Sequence, residues 1–137
     1  MKITPAMRLV AISAAFLALS QWSSLALAKD CSLLNTQTEM NNCEGENFKA
    51  ADAELNAAYA KLLNKISPTG RQKLQQAQRA WIGYRDAQCA FDTMGTTGGS
   101  IHGMMLSQCL TDLTAQQTKR LQHQLNCPEG DVSCGGQ

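Results

Sequence analysis

Aromatic residues are scarce in this chain, with three Phe, two Trp and two Tyr among 137 residues. A core must therefore rest on Leu, Ala and Met, with a few rings as anchors. Valine and isoleucine are also few and nowhere alternate with polar residues, which excludes a sandwich or barrel and leaves helices to bury apolar surface. Charge of one sign is missing too. Twelve bases against eleven acids argue against nucleic acid or an anionic membrane surface as partner. No apolar run reaches the roughly 20 residues needed to cross a bilayer.

Catalytic patterns are equally thin. The six cysteines, at 31, 43, 89, 109, 127 and 134, include no C-x-x-C pair, so neither a zinc site nor a redox dithiol is indicated. His102 and His123 stand far apart on one predicted helix. Ser100 and His102 point in different directions from a helix start, and no G-x-S-x-G elbow is present. Carboxylate pairs such as Glu39 with Glu44 or Asp52 with Glu54 lack an apolar cleft. No cofactor or metal is expected, and an enzyme is the minor alternative.

What is present begins with an address. Lys2 and Arg8 flank the start, residues 9–19 are apolar, and Ala26-Leu27-Ala28 has the small-x-small pattern of a signal-peptidase site. Residues 1–28 read as a secretory signal cleaved after Ala28, leaving one domain over residues 29–137, periplasmic or secreted. Lys29 and Asp30 before Cys31 do not fit a lipid-modified cysteine, so no stable membrane anchor is expected. Cleavage leaves ten bases and eleven acids, a net charge of −1. Six acids lie between Lys29 and Asn56 against two lysines, making the first quarter of the domain acidic.

Helical periodicity fills most of the rest. Thr36-Gln37-Thr38-Glu39 is a capping box, followed by Met40, Phe48, Ala51, Leu55, Tyr59, Leu62 and Ile66 at helical spacing. A first helix is predicted over about 36–65, with a bend near Gly45. Ser67-Pro68 ends it and starts a second, about 68–93, with Ser67 as N-cap. Its inward residues are read as Leu74, Ala77, Trp81, Tyr84 and Phe91, with the Arg85 guanidinium over Trp81. After a glycine-rich loop, Ser100 is read as N-cap of a third helix, about 100–125, facing inward through Met105, Leu106, Leu110, Leu113, Leu121 and Leu125. The fold class is all-α, a small antiparallel bundle of three long helices with disulfides. Leu55, Tyr59, Trp81, Tyr84 and Phe91 are its expected core.

In an exported domain, six cysteines read as a disulfide framework. With antiparallel helices, Cys31, Cys43, Cys89 and Cys109 gather at one end and Cys127 and Cys134 at the other. Cys127–Cys134 follows by exclusion and closes the tail. At the first end Cys31–Cys43 with Cys89–Cys109 is expected, and Cys31–Cys89 with Cys43–Cys109 stays open.

The stretches T-Q-x-E-M-N-x-C (36–43), A-D-x-E-L-N-x-x-Y (51–59) and A-Q-R-A-W-I-x-Y-R-D-A-x-C (77–89), with Gly98-Gly99-Ser100 and Cys109, resemble the LprI-type lysozyme-inhibitor family of small exported bacterial proteins. The resemblance spans about residues 31–125. It implies a helical domain with paired cysteines and no catalytic residues, and a partner that is a lysozyme-type muramidase or another envelope protein. The chain departs from the family's lipoprotein namesake in lacking a lipid-modified cysteine and in adding Cys127 and Cys134. A cationic muramidase would favour acidic contacts, which nominates Glu44, Glu46, Asp52 and Glu54, with Arg85 and Asp86 as further candidates. The alternative is an envelope protein-interaction or stress module.

Overall fold

The structure is a computed structural model that describes residues 28–128 and 130–135. Of the expected signal, only Ala28 falls within them; the rest lies outside the described residues. The fold is all-helical, with no strand among the described residues: α1 (Gln37–Lys65), α2 (Pro68–Asp92) and α3 (His102–Leu125), with short 3-10 turns at Cys31–Leu33 and Met94–Thr96.

The starts of α1 and α2 follow from their caps. The Thr36 hydroxyl accepts from the Glu39 N–H while the Glu39 carboxylate accepts from the Thr36 N–H, satisfying two orphan donors at once. Gly45 lies inside a continuous α1. Ser67 accepts from the Gly70 N–H, and Pro68 occupies the first turn of α2, where its missing N–H is no loss. The third start differs from expectation. Ile101 occupies the cap position of α3 and its own side chain makes no capping bond. Ser100 instead offers its carbonyl to Asn41 Nδ2 at 2.9 Å, while Asn41 Oδ1 accepts from the Met104 N–H at 3.1 Å. A side chain of α1 thus serves the entry to α3.

Helices α1 and α3 pack closely along their length, and α2 stands further off. The cause lies in the seam. On α3 the most deeply buried residues are Thr114, Thr118 and Leu121, not the run of leucines the periodicity suggests; Met105 is exposed. A buried threonine needs a partner for its hydroxyl, and Thr118 finds one in the Thr114 carbonyl at 2.9 Å. Its small side chain then lets the backbones approach. Opposite lie Leu55, Ala58, Leu62 and Ile66, which with Leu121 form the core, flanked by half-buried Tyr59, Leu74, Trp81 and Leu125.

Tyr84 and Phe91 are not in that core. They are 55% and 68% exposed. The inward positions of α2 are taken by Leu74, Gln78, Trp81, Arg85 and Cys89, of which Gln78, Arg85 and Cys89 are buried. Polar residues at inward positions displaced the apparent apolar face sideways.

Three disulfides close the structure: Cys31–Cys43, Cys89–Cys109 and Cys127–Cys134, with Cα separations of 5.8, 5.6 and 6.0 Å. The first ties the lead-in to α1, where buried Asn47 also grips Lys29, accepting from its N–H at 2.9 Å and donating to its carbonyl at 3.0 Å. The second staples α2 to α3 beneath the glycine-rich connection. The third closes the tail.

Candidate functional site

Arg85 is the most heavily engaged side chain of the middle helix. Trp81, Arg85 and Cys89 follow one another at intervals of four, so they share the inward face of α2. The guanidinium lies 5.3 Å from the ring centroids of both Trp81 and Phe48. It stands 3.5 Å from Asp52 of α1, donates to Thr114 of α3 at 3.4 Å, and pairs with Asp86 at 2.8 Å. A buried cation is costly unless it is matched, and here three helices match it. Arg85, nominated above for a partner, is 9% exposed and belongs to the interior.

The four nominated acids of α1 do not form one face. At about 100° per residue, Glu44, Asp52, Glu46 and Glu54 fall near roughly 0°, 80°, 200° and 280° and so are spread around the helix. Glu44 accepts from Gln108 at 2.9 Å and from Asn47 at 3.1 Å, joining α1 to α3. Asp52 serves Arg85 and accepts from Asn56 at 3.0 Å. Glu46 is paired with Lys29, whose hydrogen bond and charge hold its carboxyl below the usual glutamate range. Glu54 is exposed, without a hydrogen bond or ion pair among the described residues, beside a groove of about 340 Å³ shared with Glu46 and Thr111. Asp86 is half-exposed but held by Arg85. Of the six nominated residues, Glu44, Asp52 and Arg85 do internal work, while Glu46, Glu54 and Asp86 reach the surface.

The exposed face of α2 is of a different kind. Ala77, Ala80, Tyr84, Ala87 and Phe91 recur at intervals of three and four, and all five are exposed. Intervals alternating in this way draw a continuous stripe along a helix. Its two rings stand about 10 Å apart along the axis, from 1.5 Å per residue. Met94, also exposed, extends the stripe into the turn that follows. Next to Phe91, Asp92 accepts from Gln88 at 2.8 Å and borders a groove of about 380 Å³ that also holds Asp112, Met105 and Leu113. The backbone beneath is fixed by Cys89–Cys109 and by the Thr93 hydroxyl on the Cys89 carbonyl at 2.7 Å. Two exposed rings and a methionine on a stapled support, with two carboxylates on the neighbouring groove, can bind a protein partner.

The period of α2 contained this surface. Two stripes interleave in its sequence, 74-78-81-85-89 and 77-80-84-87-91, and the second holds more apolar residues although the first faces the core. One cluster has the spacing for an ion among the described residues, Cys127, Asp131 and Cys134; both of its sulfurs are committed to a disulfide.

The model of the family described as lysozyme inhibitor LprI matches residues 29–121. An uncharacterised protein of Rhizobium meliloti is 34% identical, over 73% of this chain and 81% of its own length. No solved structure matches.

Proposed function

The chain belongs to the LprI lysozyme-inhibitor family, and from that premise we propose that it is a non-enzymatic, exported inhibitor that binds a lysozyme-type muramidase through the outer stripe of α2. One observation carries the choice of surface: Tyr84 and Phe91 are exposed although the chain has few aromatic residues to spend. Large rings with polar tips or edges are the residues that most often anchor an interface. Asp92, which follows Phe91 in the chain, and Asp112, which borders the same groove as Asp92, supply the sign of charge that complements a cationic enzyme, which favours encounter and orientation. Export is supported by the three disulfides, which persist in oxidising compartments. The leader-like residues 1–28 and a family match starting at residue 29 agree with it. Among the described residues no helix is long and apolar enough to cross a membrane.

The test is lysis of a cell-wall suspension by lysozyme. The purified oxidised protein should slow lysis at stoichiometric amounts, and the effect should fade as added salt screens the encounter. The double variant Tyr84→Ser/Phe91→Ser should unfold at the same temperature as the parent, because neither ring is in the core, and should lose at least tenfold in inhibition. Failure to inhibit any lysozyme class would overturn the activity. Undiminished inhibition by the double variant would overturn the surface.

A further inference from the structure

At the opposite end of the bundle, where α2 begins and α3 finishes, the looser packing of α2 leaves an open groove of about 530 Å³. That volume lies within the range of about 300–1,000 Å³ common to small-molecule pockets. Leu62, Ile66, Leu74 and Leu121 make its floor, and most of its surface is apolar. Two cations, Lys73 of α2 and Arg120 of α3, stand on its rim. Both are exposed, and neither has an ion pair or hydrogen bond among the described residues. The first turn of α2, whose residues Thr69 and Gly70 also line the groove, contains no acid to offset the positive end of the helix dipole.

An apolar trough with a cationic rim calls for a ligand with a long apolar body and one negative end. We propose that this groove binds a single-chain anionic amphiphile, a long-chain fatty acid. Its hydrocarbon tail lies on the four aliphatic residues and its carboxylate lies between Lys73 and Arg120. The apolar area removed from water supplies affinity, and the rim supplies the sign preference. The same rim disfavours a cationic protein, and although Ala77 at the end of the α2 stripe also lines the groove, Tyr84 and Phe91 do not, so the two proposals stand on different side chains.

Calorimetric titration with sodium laurate below its micellar concentration, alongside dodecyltrimethylammonium of equal chain length, tests both parts. Laurate should bind one to one and at least tenfold more tightly than the cationic amphiphile. The surface variant Lys73→Glu/Arg120→Glu should weaken laurate at least tenfold and bring the two ligands level or invert them. Three results would each overturn the proposal: no laurate binding up to millimolar concentration, equal binding of the two amphiphiles by the parent protein, or an unchanged laurate affinity in the double variant. Concentration-dependent dimerisation that laurate does not reverse would assign the groove to a second copy instead. The amphiphile comparison needs no variant, so the proposal stays falsifiable if the charge reversals disturb folding.

Discussion

Replacing Arg85 by alanine removes an interaction from each of the three helices at once. Two cation–π contacts in a buried setting are worth about 1 kcal/mol each, within the 0.5–2 kcal/mol span for such pairs. The ion pairs add less, because the side chains of Asp52 and Asp86 keep 42% and 56% of their exposure and pairs open to water contribute roughly 0–1 kcal/mol. Loss of packing by the long stem adds to this. The total is about 3 kcal/mol, a fall in melting temperature of roughly 12 °C for a domain near 100 residues. Arg85→Met separates the contributions. It fills most of the volume and leaves the two aspartates facing water rather than stranded, so it should cost only about 1–2 kcal/mol. Guanidinium unfolding followed by far-ultraviolet circular dichroism, with all disulfides oxidised, measures both variants. The difference between parent and Arg85→Met should shrink only slightly in 1 M salt, since stacking on Trp81 and Phe48 is screened less than exposed ion pairs. An alanine variant within 0.5 kcal/mol of the parent would refute the role of Arg85 as the three-helix junction. A methionine variant as unstable as the alanine one would show that the guanidinium, through its charge and its stacking, carries the junction and that packing of the stem does not.

Two further outcomes follow from local structure. Removing Cys89–Cys109 by double alanine substitution frees a loop closed over 20 residues, worth about 3 kcal/mol by chain entropy. It should also weaken lysozyme inhibition through a loosened Phe91 and Met94, and unchanged stability would contradict the staple. Asp30, Glu46 and Asp131 have carboxyls held low by hydrogen bonds from Ser32, Lys29 and Ser133 respectively. A depressed native pKa gives stability above the unfolded value and loses it as pH falls through the native one. Stability should therefore be level between neutrality and the ordinary glutamate value of 4.5 and decline only below it; a fall already near pH 6 in thermal melts would contradict this.

The starts of α1 and α2 were legible from Thr36, Glu39, Ser67 and Pro68, because capping depends on neighbours in the chain, whereas the start of α3 is served by Asn41 from another helix. The disulfide ends were legible from helix direction alone. Side-chain facing was not. On α2, Gln78 and Arg85 sit inward because each finds partners across the bundle, Gln117 at 3.4 Å for the first and Asp52, Thr114 and two rings for the second. Periodicity counts apolar residues and cannot see those partners. On α3, Thr114 and Thr118 take buried positions because Arg85 of another helix donates to the first hydroxyl and the second bonds back to the Thr114 carbonyl, a bond that exists only once the helix does. The acidic quarter misled for a third reason: charge counted along a chain says nothing of its distribution around a helix, and Glu44 and Glu46 are about 160° apart at roughly 100° per residue.

The same helix thus holds the fold together and presents the surface proposed for a partner. Trp81, Arg85 and Cys89 point into the bundle, while Tyr84, Ala87 and Phe91 point away from it. A rigid partner surface usually requires support from residues behind it, and here that support comes from the same stretch of fifteen or so residues, so the rings are held by the junction and the disulfide rather than by a separate scaffold. Changes on the two stripes should therefore separate cleanly. Outward substitutions should alter inhibition at constant stability. Inward ones should lower stability first and inhibition only as the helix loosens. A set of inward variants that lost inhibition while fully stable would mean that the muramidase meets a different face.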